Sequence, residues 1–380
     1  MRAIRELLRA SVVVGCLTAT RLAAQEPPAT RAVETAEPVR QIVCPISVSN
    51  PRNGEGDITV LRDGRWLLAY SHFMRGAAAD DAPAEIHART SADRGKTWSA
   101  DSVLIPNDAM NLMSVSFLRL RNGELMLVYG RRHSNSLMTF HARFSTDEGE
   151  TWSADSLVTP NAAYQTINNG RIIQLQDGRL LAPVAMCRGK SWKDDYFFFD
   201  TVTWSDDNGR TWHAIPQRLT VKGCSYGADE PALIELKDGR VMMLIRTDVG
   251  QIFRSYSKDS GATWSEPEPT GLASPSSPAS IARIASTGEL LLVWNNAKPL
   301  AANAGEPRNP LTSAISADEG QTWKQIKNIE NSDGADYCYT SITFDGDDVI
   351  QSYYERGSLK VCVTNARWFT RDGVGSTSAP

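Results

Sequence analysis

Ser91-Ala92-Asp93-Arg94-Gly95-Lys96-Thr97-Trp98 is one of five copies of Ser-x-Asp-x-Gly-x-Thr-Trp in this chain. The others run Ser145 to Trp152, Ser205 to Trp212, Ser257 to Trp264 and Ser316 to Trp323, so their Trp residues lie 54, 60, 52 and 59 positions apart. Such a period marks a repeat architecture. Asp and Ser side chains accept backbone N–H bonds and cap a tight turn. Gly supplies the positive φ the turn needs. Thr-Trp opens the next strand, with the Trp pinning the hairpin to its neighbour. Ahead of the first copy, Ala84-Glu85-Ile86-His87-Ala88-Arg89-Thr90 alternates as a strand does.

A second hairpin interleaves with the first. Ile58 to Tyr70 turns at Asp63-Gly64, and the pattern returns around Asn122-Gly123, Asp177-Gly178, Asp238-Gly239 and Thr287-Gly288. A sixth copy, Ser341 to Ile350, turns at Asp345-Gly346. There are thus six inner hairpins but five Asp turns, and Leu359 to Thr364 supplies the next strand of the sixth unit. Four strands per unit at this period make a propeller blade. The fold expected is all-β, a six-bladed β-propeller over residues 39–371, with Ile42 to Ile46 completing the last blade. The Asp turns read as fold-building hairpins, not catalytic sites. One carboxylate per turn is also few ligands for calcium.

Composition narrows the partners. The chain has 380 residues, 40 Lys and Arg against 44 Asp and Glu, and a net charge of −4, with its basic residues scattered singly. Neither a nucleic acid nor an anionic membrane is an expected partner. Ten Trp and 27 Gly suit a β protein rich in turns. Residues 1–24 read as an export signal: Arg2, Arg5 and Arg9, an apolar run too short to span a bilayer, then Leu22-Ala23-Ala24 as a cleavage site. A periplasmic or extracellular location follows. Lipid attachment at Cys16, in Val13-Val14-Gly15-Cys16, and a cytoplasmic protein with a ragged N-terminus are the alternatives. Residues 25–38 read as a linker and 372–380 as a disordered tail. Cys44, Cys187, Cys224, Cys338 and Cys362 have no Cys-x-x-Cys spacing, and the five His form no ligand pair, so no metal site is expected. Export permits disulfides, whose pairing the sequence leaves open. A monomer is expected.

On these motifs the chain resembles the sialidase (neuraminidase) superfamily, whose bacterial members carry repeated Asp-boxes on a six-bladed propeller. Non-hydrolytic propellers carry such boxes too, so the resemblance turns on the catalytic set. A sialic acid has a carboxylate on its anomeric carbon. Arg meets it through paired charged hydrogen bonds, whereas a carboxylate nucleophile would be repelled. The family uses a Tyr activated by a Glu, with an Asp to protonate the leaving oxygen.

Ala228-Asp229-Glu230-Pro231-Ala232 leads through Asp238-Gly239 to Leu244-Ile245-Arg246, which resembles the family segment in which a Glu precedes a strand pair ending in Arg. The resemblance makes Glu230 the base and Arg246 a carboxylate-binding Arg. Arg308, eight residues before Ser316, matches another Arg of the triad. Tyr339-Thr340-Ser341-Ile342, followed by Tyr353-Tyr354-Glu355, resembles the nucleophile segment, so Tyr339 is the nucleophile implied. Tyr337 is expected to face the same side of the strand. Asp81 stands where the family keeps its acid/base, with Asp80 and Arg75 as possible pocket residues. Where Arg-Ile-Pro is usual, this chain has Arg52-Asn53-Gly54-Glu55-Gly56-Asp57. Arg52 is the candidate for the first Arg but is two residues out of register, and Glu55 or Asp57 could fill part of its space.

The resemblance implies an exo-α-sialidase-like retaining glycoside hydrolase that needs no cofactor. The alternatives are hydrolysis of another acidic sugar, a ulosonic acid or uronate, and a non-catalytic glycan-binding propeller.

Overall fold

The computed structural model describes residues 37–298 and 307–371. The expected signal, most of the linker and the tail therefore lie outside the described residues. Six antiparallel sheets make six blades. Blade 1 comprises Asn53–Val60, Trp66–Phe73, Ala84–Ser91 and Ser102–Ile105; blade 2 comprises Asn111–Arg119, Leu125–Ser134, Leu137–Ser145 and Ser156–Leu157. In blade 3 the inner strand is broken into Gln165–Thr166 and Ile173–Gln174, followed by Leu180–Cys187, Phe198–Ser205 and His213–Ala214. Asp229–Glu235 opens blade 4, Ser280–Arg283 blade 5 and Tyr337–Asp345 blade 6.

The ring closes with the two ends of the propeller in one sheet. Val39–Cys44 pairs antiparallel with Ser358–Asn365 and becomes the fourth strand of blade 6. Val43 and Cys44 then pack with Trp66 and Tyr70 of blade 1 and Leu359 of blade 6 in one apolar cluster. Trp66 Nε1 donates to Asp345 Oδ2 at 3.0 Å across the same joint. A closed ring leaves few exposed sheet edges, which is what stabilises this architecture against edge-to-edge pairing.

The Asp turns do what their residues suggest. In the first, Gly95 N–H donates to Ser91 Oγ at 2.8 Å, Thr97 N–H to Asp93 Oδ1 at 2.8 Å, and Thr97 Oγ1 to Asp93 Oδ2 at 2.6 Å. The other four repeat this set around Asp147, Asp207, Asp259 and Asp318. Gly95 sits at φ +81°, and a Cβ there would come within 2.7 Å of the Trp66 ring, so both backbone and packing require glycine. All five cysteines among the described residues are free and buried. No helix among the described residues is long and apolar enough to cross a membrane.

Candidate functional site

Four inner strands break their pairing in the same way. The register shifts between Gly54 and Asp57 in blade 1, Met113 and Ser116 in blade 2, Asp229 and Ala232 in blade 4, and Cys338 and Ser341 in blade 6. Each bulge holds a non-glycine residue at positive φ: Glu55 at +50°, Ser114 at +60°, Glu230 at +46° and Tyr339 at +56°. An L-residue in that region costs about 1 kcal/mol or more and persists only where the surroundings impose it. All four side chains line one pocket, together with Asp80, Asp229, Arg132, Arg246 and Arg308. The bulges are thus the device by which regular blades aim polar groups at a common point.

Blade 3 floors this pocket. Between the halves of its broken inner strand, Asn168, Asn169, Gly170 and Arg171 reach the other inner strands. Asn169 Nδ2 donates to the carbonyls of Gly56 and Tyr339, both at 2.8 Å. Arg171, fully buried, donates to Ser280 Oγ and the Ala279 carbonyl at 3.0 Å. Gly170, at φ +64°, would place a Cβ 3.0 Å from Ser341 Cβ. This segment therefore ties blade 3 to blades 1, 5 and 6 and fixes the backbone of Tyr339.

Charges in the pocket come in tight sets. Arg246 Nη1 donates to Glu230 Oε2 and lies 3.7 Å from Asp229 Oδ2; its Nε and Nη2 donate to Ser276 Oγ at 3.1 and 3.0 Å. Burial, and next the Glu230 charge, push Asp229 up to about 7 against the pull of Arg246. Arg52 lies 2.9 Å from Glu55 Oε1 and 2.5 Å from Asp80 Oδ1, and stacks on Phe73 at 4.4 Å. Ser114 Oγ donates to the other oxygen of Glu55. Burial raises Glu55 even so. Burial would raise Asp80 as well, but Arg52, helped by Arg132 and Arg308, holds it below the usual carboxylate range. Arg308 sits 5.4 Å from the centre of the Tyr339 ring. Burial, then the Glu230 charge, keep the Tyr339 phenol protonated well above its ordinary value, so it needs a base to act as a nucleophile.

The pocket brings together Glu230, Arg246, Arg308, Tyr339 and Asp80. Asp81 is not in its lining: that side chain pairs with Lys193 on the surface. The adjacent residue, Asp80, carries the carboxylate that faces the pocket. Arg75 is on an exposed turn at φ +60° and does not line the pocket. Arg52 reaches the site through Glu55 and Asp80 rather than as part of the lining. Asp57 is buried beneath, accepting from Phe117 N–H at 2.8 Å. Tyr337 does not share a side with Tyr339. The bulge between them breaks the alternation, and Tyr337 packs at 6.1 Å against Tyr353 in the core. Tyr353 donates to Glu330 at 2.5 Å, away from the pocket.

Sequence reasoning missed Ser114, Arg132 and Asp229. Ser114 carries no motif. Asp229 stands beside Glu230 in a segment whose resemblance points to the Glu alone. Outside the pocket, His72, His87 and Asp101 have candidate ligand atoms within 4.8 Å of one another. Blade 2 repeats the cluster with Arg131 in place of His72 and an Arg131–Asp155 pair at 3.0 Å. Tyr70 donates to Asp101 as Tyr129 does to Asp155. The cluster reads as a fastener between strands.

The family model described as a BNR repeat-like domain matches residues 113–351, well over half the chain. A sialidase of Micromonospora viridifaciens is 26% identical over 366 residues, covering 85% of this chain and 52% of that protein. A sialidase of Paraclostridium sordellii is 28% identical over 241 residues, 56% of this chain and 57% of that one. The chain thus spans little more than half the length of these relatives. Among solved structures, a protein of unknown function from Dyadobacter fermentans matches with a TM-score of 0.70 at 17% identity, over 87% of this chain and 98% of its own. The Hadza microbial sialidase Hz136 also matches at 0.70 and 17%, over 84% of this chain and 67% of that one. At these identities the structural likeness shows the propeller fold.

Proposed function

This chain belongs to the BNR repeat-like family and is a relative of bacterial sialidases, and from that premise we propose that it is a sialidase-like retaining glycoside hydrolase acting on a terminal acidic sugar. The observation that carries the reading is the convergence of Tyr339, Glu230, Arg246, Arg308 and Asp80 on one pocket. Arg308 and Arg246 receive the sugar carboxylate. Tyr339 Oη attacks the anomeric carbon as its proton passes to Glu230. The glycosidic bond breaks, and Asp80 gives a proton to the leaving oxygen. Water then attacks the same carbon with Asp80 as base. The bond to Tyr339 breaks, and Glu230 returns the proton to the phenol. Asp80 takes the role that the sequence assigned to Asp81, because only Asp80 faces the reacting centre. A substrate carboxylate that offsets Arg308 would raise Asp80 toward the protonated form that the first step needs.

Wild type and Tyr339→Phe should be assayed on a fluorogenic sialoside from pH 4 to 8. Turnover lost in the variant supports the reading; a wild type without turnover removes sialosides as substrates. A second reading keeps the chemistry and changes the sugar to another ulosonic acid or a uronate. Its support is Arg52, which is paired with Glu55 and Asp80 and does not line the pocket. Hydrolysis from a panel of acidic glycosides decides between them.

A further inference from the structure

Four arginines surround the pocket, but they are not in the same state. Arg52 and Arg246 each sit between two carboxylates. Arg132 and Arg308 form no ion pair among the described residues. Arg308 has the Tyr339 ring beneath it and a place in the proposed chemistry. Arg132 has neither.

Arg132 lies near the end of the second strand of blade 2 and is only 2% exposed. Its Nη2 donates to Tyr164 Oη and lies 3.6 Å from Met113 Sδ. Its Nε and Nη1 find no acceptor. The rings of Tyr164 and Trp192 flank it at 5.1 and 5.6 Å. Such stacking is worth about 0.5–2 kcal/mol, less than the several kcal/mol that desolvating a charge without an ion-pair partner costs. The repeat shows what the frame alone would place there. Tyr70 opposite His87 in blade 1 corresponds to Tyr129 opposite His141 in blade 2. Three residues on, Phe73 opposite Ala84 corresponds to Arg132 opposite Met138. An apolar ring satisfies the position in blade 1, so packing does not demand a guanidinium in blade 2. A buried cation lining a ligand pocket, with donors to spare, is accounted for by an anion that the ligand brings.

We infer that Arg132 is a second anion seat, and that the substrate is an acidic sugar bearing a further anionic group, a sulfate ester or a second carboxylate, besides the carboxylate met by Arg308 and Arg246. This rests on the acidic-sugar reading above. The pocket's charge agrees with it. Of its carboxyls, burial raises both Glu55 and Asp229, which moves the balance toward the arginines as pH falls.

Calorimetry on the intact protein at pH 6 tests the inference with three probes: inorganic sulfate, N-acetylneuraminic acid, and that acid sulfated at each hydroxyl in turn. Wild type should bind one sulfated form about tenfold or more tighter than the unsulfated sugar, the effect of one charged hydrogen bond. In Arg132→Gln the ratio should fall to about one. Arg132→Met, which keeps the stacked stem without the charge, should behave alike and serves if Gln does not fold. Equal affinity of wild type for every form, or a preference that survives in both variants, overturns the inference. If neither sugar binds but inorganic sulfate does, and only with Arg132 present, the acidic-sugar reading fails while the anion seat stands. If sulfate also fails to bind, both fall.

Discussion

Replacing Arg246 by Met should expose how the pocket holds its charge. Arg246 and Glu230 are paired with side chains 9% and 10% exposed, and Asp229, 4% exposed, lies 3.7 Å away. At that burial, removing one partner leaves an uncompensated charge and costs about 3–5 kcal/mol. The two hydrogen bonds to Ser276 add about 1 kcal/mol more. Met fills most of the volume of the arginine stem, so the loss is electrostatic and not a cavity. It must therefore depend on pH. Without the guanidinium, whose pull lowers it, Asp229 holds its proton in the folded state to still higher pH than in the unfolded chain. A folded value raised in this way means that stability is lost as pH rises. Each ionising group contributes up to about 1.4 kcal/mol per pH unit. Asp229, already near 7, needs little help at pH 5.5. Urea unfolding followed by circular dichroism at pH 5.5 and pH 8 should give a larger penalty at pH 8. Adding Glu230→Gln to Arg246→Met should restore about 2 kcal/mol there, because one stranded charge goes with it. A single-variant penalty below about 1 kcal/mol at pH 8, or a double variant no more stable than the single one, would refute the reasoning.

Asp80→Asn should lower kcat/KM on a substrate with a poor leaving group by about 10²- to 10⁴-fold, and much less on an aryl glycoside; Asp81→Asn, which breaks a surface pair with Lys193, should change it less than about threefold. Comparable losses in the two variants would put the acid elsewhere. Asp200 is fully buried and neither carboxyl oxygen has a partner. Burial raises it well above the ordinary value, so folding favours its protonated form. The unfolded chain ionises first, and wild-type stability should fall by about 1.4 kcal/mol per pH unit above pH 4. Asp200→Asn should flatten that slope by the same amount, and parallel curves from urea titrations would contradict it. Deleting residues 37–46 removes the strand that closes the ring, including buried Val43 and Cys44. That should cost at least about 3 kcal/mol, read as a lower urea midpoint; an unchanged midpoint would show that the ring does not depend on this strand.

What was legible in the sequence was the chemistry that acts locally. An Asp turn is made by residues within eight positions of one another, so five copies could be read one by one. The ring could then be counted, and its closure placed at residues 42–46; the strand that closes it is Val39–Cys44. What aims side chains at the pocket is not local. A one-residue bulge leaves no mark in composition, yet it sends Tyr339 into the pocket and Tyr337 into the core, where strict alternation would have put both on one face. The same device presents Glu55 and Ser114, which no motif announces. Between Asp80 and Asp81 the sequence offers two like residues in an Ala-rich loop. The choice is made by Lys193 in blade 3, which takes Asp81, and by Arg52, which takes Asp80. Arg131 and Arg132 are a similar pair: one joins Asp155 in a strand fastener, the other lines the pocket without an ion pair. The displacement of Arg52 has its origin here too. In the bulge between Gly54 and Asp57 the residue that faces the pocket is Glu55, and Arg52 stands behind it, paired with Glu55 and Asp80. Position along the chain is a poor guide wherever a strand has been bent to serve a site. In this propeller four of the six inner strands have been bent in that way.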